Sequence, residues 1–244
     1  MLKAELRRRA IHRLVLWNID LTLVDVAKVS RTAFADAFRG VTGRPLVKLP
    51  QMAGRSEPEI FFEALALNGV DLREAGSAEL LAPFSAEFAA VLSVQRGQLT
   101  VEGRLLPGAR ESMARVAKLK GVVSSVLTGT SKPVAVLKLR AFGLEKYADS
   151  SVGGFGGSEP YPKGTLLRVA RQRAEEKYGV SLADGATIYI ADSPRDVEAA
   201  RIGGAVSVAV ASGRASMSEL RDAGADHVLP DLTDTARLIS IITN

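Results

Sequence analysis

A short stretch near the N-terminus carries the residue types best suited to chemistry. The apolar run Leu14–Trp17 predicts a short buried strand, and the polar residues Asn18, Asp20 and Thr22 follow it. Residues two apart in an extended chain point to the same side, so Asn18 and Asp20 would project together from the strand tip. Open α/β sheets bind ligands at that edge. The segment therefore predicts a polar site in which a carboxylate moves protons or holds a metal ion.

Three further polar elements follow predicted strands or precede predicted helices. They are Leu127-Thr128-Gly129-Thr130 after an apolar run, Lys163 after the glycine-rich residues 153–157, and Asp192-Ser193-Pro194-Arg195-Asp196 after Thr187–Ile190. Phosphoryl transfer through an aspartyl-phosphate explains these residue types. A carboxylate attacks phosphorus, and a second carboxylate protonates the leaving oxygen and then activates water. Threonine and backbone N–H groups hold phosphate oxygens, a lysine offsets charge, and Asp192 and Asp196 supply or support the oxygen ligands that Mg²⁺ requires.

Each element also has a structural interpretation. Asp192 or Ser193 would cap a helix that begins at Pro194, and Asp20 would form an Asx-turn. The stretch 128–130 would be an ordinary loop, and Lys163 one exposed lysine among many. All four elements lie near a predicted strand end or helix start, and this shared placement favours the functional interpretation.

The second half of the chain alternates short apolar runs with helical patterns, which indicates βαβ units and a parallel sheet. Predicted strands are Arg13–Asn18, Val122–Thr128, Ala186–Ala191, Val206–Val210 and His227–Leu229, with a further short one near Ser150–Val152. Predicted helices begin at Pro107, Ser131, Pro162 and Pro194 and end near Gly121, Gly143, Gly179 and Gly203-Gly204. The fold class is α/β, a Rossmann-like parallel sheet flanked by helices.

The residues between the first strand and the rest of the sheet have helical patterns and little strand signal. Ser56 and Glu59 form a capping box before an apolar helix, and Ser77 is predicted to cap a second helix that runs through Val94. The chain therefore divides into a core of residues 1–25 and 102–244 and a small helical insert of residues 26–101.

The run Asn18-x-Asp20-x-Thr22 resembles the first motif of the haloacid dehalogenase superfamily, and nearly the whole chain is similar to that family. Within it, the nearest resemblance is to phosphoglycolate-phosphatase-like hydrolases. The motifs that carry it are Leu106-Pro107-Gly108-Ala109, Leu127-Thr128-Gly129, the run from Leu137 to Leu144, and Asp192-Ser193-Pro194-Arg195-Asp196. The resemblance implies that the helical insert is a cap over the active site, and that the reaction is Mg²⁺-dependent hydrolysis of a small phosphorylated metabolite.

The resemblance also implies roles for individual residues. Asn18 stands at the position of the nucleophilic aspartate, Asp20 is the general acid/base, Thr128 binds phosphate and Lys163 stabilises charge. Thr22, Gly129, Thr130 and Arg55 would contact the substrate, Arg55 from a loop of the cap. The metal would be held by Asn18, Asp20, Asp192 and Asp196. Two smaller departures are Thr130, where relatives often have asparagine, and Ala191, where they often have glycine.

Asn18 is the departure that bears on activity. An amide has nearly the shape of a carboxylate, and its oxygen can coordinate Mg²⁺, but it is a poor nucleophile. Loss of a covalent nucleophile costs many powers of ten in rate. Three hypotheses follow: an engineered inactive phosphatase, a natural binding or regulatory module, or different chemistry with Asp20 as a base for water attack.

The amino-acid composition excludes or disfavours several classes of function and partner. The chain of 244 residues has no cysteine and two histidines, which excludes thiolate chemistry and disfavours a multi-histidine metal site or a Ser-His-Asp arrangement. The net charge is +5, but Arg7-Arg8-Arg9 is the only tight basic cluster and aromatic residues are few, so no nucleic-acid partner is expected. No apolar stretch is long enough for a membrane span, and cytoplasmic residence is expected. The sequence does not indicate an oligomeric state.

Three other functions fit the motifs less well. A dehalogenase would need the same nucleophile and typically no metal, which the pair Asp192 and Asp196 argues against. A phosphomutase fits the motifs, but nothing points to a sugar phosphate. The alternative from a different class is a catalytically inactive module that binds a phosphorylated ligand or a partner protein.

Overall fold

A computed structural model describes residues 11–70, 78–157, 161–183 and 185–244. In chain order the strands are β1 Arg13–Trp17, β2 Val24–Asp25, β3 Arg104–Leu105, β4 Val122–Thr128, β5 Gly154–Phe155, β6 Thr187–Ala191, β7 Val206–Val210 and β8 His227–Leu229. The helices are α1 Ala27–Thr42, α2 Glu57–Leu67, α3 Leu81–Val94, α4 Gln98–Val101, α5 Ala109–Val116, α6 Lys132–Ala141, α7 Lys163–Tyr178, α8 Pro194–Gly203, α9 Met217–Asp222 and α10 Thr235–Thr243.

Six of the strands form one sheet in the order β5-β4-β1-β6-β7-β8, and every neighbouring pair in it is parallel. Helices cover both of its faces because side chains alternate along each strand. Val15 and Trp17 pack into one hydrophobic cluster, and Leu14 and Leu16 pack into another. This architecture confirms the predicted α/β fold class.

Helices α1 to α4 lie between β2 and β3, which pair with each other as a short antiparallel ribbon. The phenylalanines of α1, α2 and α3 pack together within the hydrophobic cluster that also contains Val15 and Trp17. The ring centroids of Phe34 and Phe84 are 4.7 Å apart, and those of Phe61 and Phe84 are 4.2 Å apart. The capping box of Ser56 and Glu59 is present at the start of α2. The predicted cap at Ser77 and the basic cluster of residues 7–9 lie outside the described residues.

The sequence placed two elements incorrectly. The strand predicted near Ser150–Val152 is instead β5, a few residues later. A side chain at Gly154 would lie 2.5 Å from the carbonyl oxygen of Leu166 on α7, so pairing with β4 occurs where glycine permits close approach. The helix predicted from Pro107 begins at Ala109, because Gly108 adopts a left-handed φ of 73° at its N-cap.

Candidate active site

The three strand ends that carry the predicted motifs are neighbours in the sheet. β1 lies between β4 and β6, and all three strands run in the same direction. Thr128 is the last residue of β4, Asn18 follows β1 directly, and Asp192 follows β6 directly. Because the carboxyl ends of parallel strands share one edge of the sheet, residues far apart in sequence meet here.

The side chain of Asn18 is buried and lies at the centre of a hydrogen-bond network. Its amide nitrogen Nδ2 donates to the main-chain oxygen of Asp20 at 2.9 Å, to Asp192 Oδ1 at 2.9 Å and to Thr22 Oγ1 at 3.2 Å. Its oxygen Oδ1 accepts from Lys163 Nζ at 3.3 Å. The network joins residues that the sequence assigned to nucleophile, acid/base, metal and charge-stabilising positions.

Asp192 is held from two sides. Thr22 Oγ1 donates to its Oδ1 at 2.8 Å, and a side chain at Gly213 would lie 2.1 Å from its Oδ2, so only glycine leaves room there. Burial, with a smaller contribution from the nearby charge of Asp196, raises the pKa of the Asp192 carboxyl to about 7. An opposing charge is therefore needed to keep this carboxylate ionised.

Lys163 and Asp196 form an ion pair of 2.8 Å, with side chains 5% and 2% exposed. Asp196 also accepts from Tyr189 Oη at 2.8 Å and from Ser193 Oγ at 2.5 Å. Burial, with the charge of Asp196, raises the pKa of Tyr189 well above its usual value. Asp196, predicted as a metal-side carboxylate, lies behind Lys163 and orients its ammonium group. Ser193 is the N-cap of α8, so a capping role and a site role coexist at this strand end.

Asp20 pairs with a residue that sequence reasoning missed. Lys138 on α6 is 1% exposed, and its Nζ donates to both carboxylate oxygens of Asp20 at 2.8 and 2.7 Å. One signal was available: Lys138 follows Val134 by four residues, on the buried face of α6. A lysine on a buried helix face requires an anionic partner.

The loop between Asn18 and β2 has an unusual backbone. Leu21 has a φ of 59°, a left-handed conformation that costs a non-glycine residue roughly 1–2 kcal/mol. Its carbonyl oxygen accepts from Ser212 Oγ at 2.8 Å, which fastens the loop to the segment after β7. The loop is thus held in the conformation that turns the Asp20 carbonyl toward Asn18.

The predicted substrate contacts after β4 meet the start of α2. The carbonyl oxygen of Gly129 accepts from the main-chain N–H of Glu57 at 2.7 Å, and a side chain at Gly129 would lie 2.0 Å from the carbonyl oxygen of Arg55. The guanidinium of Arg55 donates to Glu63 and to the main-chain oxygen of Glu59, and its Nε is buried without a partner among the described residues.

Glu57 lies in the segment 54–57 that resembles a cap loop facing the substrate, but sequence reasoning assigned it no role of its own. Its carboxylate accepts from Ser85 Oγ at 2.6 Å and from the main-chain N–H of Ser131 at 3.2 Å. Burial raises its pKa to about 7, although both hydrogen bonds and the charge of Lys138 oppose the shift. Glu57 therefore joins α2 and α3 to the N-terminus of α6.

A cavity of about 390 Å³ opens over these groups. It is lined by Asn18, Asp20, Arg55, Thr128, Gly129, Thr130, Lys163 and Asp192, by Lys138 and Glu57, and by residues of α1 to α3 and the loop before α2 such as Ser30, Arg31, Phe34, Met52, Ile60 and Phe88. Thr22 and Asp196 are buried behind this lining. The cavity thus combines a polar floor at the sheet edge with an apolar wall from the helical residues.

The oxygen atoms at the floor fit a small divalent cation. The terminal Nδ2 atom of Asn18 lies 2.9 Å from both the Asp20 carbonyl oxygen and Asp192 Oδ1. Neighbouring ligands of octahedral Mg²⁺ are also about 2.9 Å apart, given its bonds of roughly 2.0–2.1 Å. Rotation of the amide would present the Asn18 oxygen instead. Among the described residues no group of three or more Asp, Glu, His or Cys side chains is placed to hold a metal.

The chain has an α/β fold in which the ends of three parallel strands form the polar floor of a cavity. The chain belongs to the haloacid dehalogenase-like hydrolases, because the model of that family matches residues 15–201. No protein of curated function matches the sequence.

Solved structures share the fold at low sequence identity. A hydrolase from Pseudomonas syringae has a TM-score of 0.65 and 20% identity, over 96% of this chain and 100% of its own. A predicted phosphoglycolate phosphatase from Haemophilus somnus has a TM-score of 0.62 and 18% identity, over 93% and 98%. An aspartate-to-asparagine mutant of CbbY from Rhodobacter sphaeroides, in complex with xylulose-1,5-bisphosphate, has a TM-score of 0.64 and 20% identity, over 92% and 96%. In the part of the chain that the structure describes, the helices are too short or too polar to cross a membrane.

Proposed function

We propose that the cavity is a phosphomonoester site built for hydrolysis through an aspartyl-phosphate, and that Asn18 blocks the covalent step in this chain. The observation that carries the proposal is the position of Asn18. Its side chain lies between the ammonium of Lys163 and the carboxylate of Asp192, on the floor of the cavity. A carboxylate at that position would face the phosphorus atom of a ligand bound above it.

The surrounding residues have complementary roles in this proposal. Lys163, oriented by Asp196, faces the phosphoryl oxygens and offsets their charge. Thr128 and the main-chain N–H groups of Gly129 and Thr130 bind the same oxygens. Asp20, at the mouth of the cavity, is the general acid for the leaving oxygen and then the base for water. With an aspartate at position 18, that side chain, Asp192 and the Asp20 carbonyl would hold Mg²⁺, which would supply further positive charge to the transferred group.

Asn18 allows binding but not covalent catalysis. Attack on phosphorus requires an electron pair on an anionic oxygen, and the lone pair of the amide nitrogen is delocalised into its carbonyl group. The amide keeps the shape of the site, so the loss is confined to the chemical step.

We propose that residues 26–101 are a cap domain on a core of residues 1–25 and 102–244. Two contacts support a gating role: the N–H of Glu57 donates to Gly129 O, and the Glu57 carboxylate accepts from Ser131 N–H. Both join α2 to the strand end that would hold phosphate. Closure of such a cap excludes water from the reacting groups.

A second candidate function is a binding or regulatory module for a small phosphorylated metabolite. The presence of Asn18 in an otherwise complete site favours it. A binding module and a hydrolase would both bind a small phosphorylated metabolite, but only the hydrolase would release phosphate from it.

The experiment compares phosphate release from a panel of small phosphomonoesters with Mg²⁺ by this chain and by Asn18→Asp. We expect turnover by the variant and little or none by the parent. Asn244→Asp is a matched control, because it makes the same substitution at the exposed C-terminal residue. Equal rates for parent and variant would show that residue 18 is not the nucleophile position. Inactivity of both would favour the binding module.

A further inference from the structure

We infer that the Asn18 amide takes the place of a divalent cation in this chain, so that its cavity binds a phosphate dianion without metal. This inference rests on the proposed function for its ligand class. It begins from the orientation of one amide group.

Hydrogen-bond chemistry determines which end of the amide faces which neighbour. Lysine ammonium groups only donate, so the atom of Asn18 that contacts Lys163 is the oxygen. A main-chain carbonyl only accepts, so the atom that contacts the Asp20 oxygen is the nitrogen. The reverse orientation would set donor against donor at Lys163 and acceptor against acceptor at Asp20. The amide is therefore held by both of its ends.

The amide hydrogens point into the ring of oxygens that a cation would occupy. Asp20 O and Asp192 Oδ1 are both 2.9 Å from the nitrogen, and Thr22 Oγ1 is 3.2 Å from it. Asn18, Thr22 and Asp192 are each at most 5% exposed, so bulk water has little access to these oxygens. The N–H groups supply the positive partial charge that holds the oxygens together.

The floor of the cavity carries less negative charge with an amide at position 18 than with a carboxylate. Around the floor, Lys138 and Lys163 face the carboxylates of Asp20, Asp192 and Asp196. An aspartate at position 18 would add a fourth carboxylate about 3 Å from Asp192, and such a pair requires a proton or a cation between its members. The amide removes that requirement. An approaching phosphate dianion then meets one negative charge fewer than it would in the aspartate form.

A metal ion could bind here only by breaking the hydrogen bonds that the Asn18 amide makes. To coordinate through oxygen, the amide of Asn18 has to rotate, which breaks its bonds to Asp20 and Asp192 and turns its N–H groups toward Lys163. The aspartate form has no such bonds to break and gains a full charge at the ligand atom. We therefore expect Mg²⁺ to bind the parent more weakly than Asn18→Asp by at least about tenfold to a hundredfold.

The test measures orthophosphate binding to the full chain by calorimetry, with EDTA and with Mg²⁺. For the parent we expect the two dissociation constants to agree within about threefold. For Asn18→Asp we expect binding in EDTA to weaken by about tenfold or more. Mg²⁺ alone should raise the melting temperature of Asn18→Asp and leave the parent unchanged. Asn18→Ala, which has no amide, should lose the metal-free binding.

The outcomes separate this inference from the proposed function. Binding of orthophosphate by the parent only with Mg²⁺, or equal stabilisation of parent and variant by Mg²⁺, would overturn the inference, whatever the turnover of the variant. Metal-free binding by the parent together with inactivity of a folded Asn18→Asp would uphold the inference and overturn the hydrolase. If the parent binds no orthophosphate under either condition, the inference is wrong, and turnover by Asn18→Asp decides the hydrolase separately. The comparison on the parent needs no variant, so poor folding of a mutant does not prevent a result.

Discussion

The buried ion pair between Lys163 and Asp196 offers a test of the site that does not depend on turnover. We expect Asp196→Asn to destabilise the chain substantially although it changes a single atom. The substitution leaves the Lys163 ammonium, 5% exposed, without its anionic partner at 2.8 Å. Its remaining acceptors, Asn18 Oδ1 at 3.3 Å and Tyr189 Oη at 3.5 Å, are uncharged and distant.

Loss of one member of a buried pair costs roughly 3–5 kcal/mol, because the other charge stays buried without compensation. We take about 3 kcal/mol, since an amide oxygen at position 196 retains a weak acceptor. For a chain of 244 residues this corresponds to a fall in melting temperature of roughly 6–12 °C. Lys163→Met should cost less, because Asp196 keeps its donors Tyr189 and Ser193.

The assay is chemical and thermal unfolding of the parent, the two single variants and the double variant. The double variant should be more stable than the sum of the single losses predicts, by at least about 1 kcal/mol. Glu198→Gln is the control, because this carboxylate on the same helix pairs with Arg201 in solvent and should change nothing measurable. A loss below about 1 kcal/mol for Asp196→Asn, or additive effects in the double variant, would refute the described burial of the pair.

Two further predictions concern groups around the cavity. Burial raises the pKa of Glu57 from 4.5 to about 7. Between these pH values the folded state holds a proton that the unfolded state has released. The free energy of unfolding should therefore fall as pH rises through this window and level off above it. Glu57→Gln should reduce this slope in urea unfolding, and the remainder comes from Asp192, whose pKa burial also raises to about 7. An unchanged slope would show that Glu57 does not contribute. Gly213→Ala would place a carbon 2.1 Å from Asp192 Oδ2 and should weaken orthophosphate binding about tenfold or more. Gly157→Ala, whose added carbon has no atom of the described residues within 4 Å, should bind like the parent. Equal binding by both variants would contradict the close packing at Asp192.

Local patterns were sufficient for most of the fold. The apolar run before Asn18 and the alternation of strand and helix patterns predicted a parallel sheet, and the positions of β4, β7 and β8 agree with the predicted bounds. These elements are determined by periodicity and by glycine or proline at their ends, which are properties of neighbouring residues. The strand at Gly154 was misplaced because its position depends on close approach to α7.

The sequence also determined which residue types surround the site, since the strand ends that carry Asn18, Thr128 and Asp192 meet in any sheet of this order. Tertiary structure alone decided how they are connected. Lys138 reaches Asp20 across 118 positions, and Asn18 reaches Asp192 across 174. Such contacts form only when the spacing between elements is correct to within a few tenths of an ångström. No local sequence pattern encodes that spacing. The orientation of the Asn18 amide follows from those contacts, because only the folded chain places a donor on one side of it and acceptors on the other.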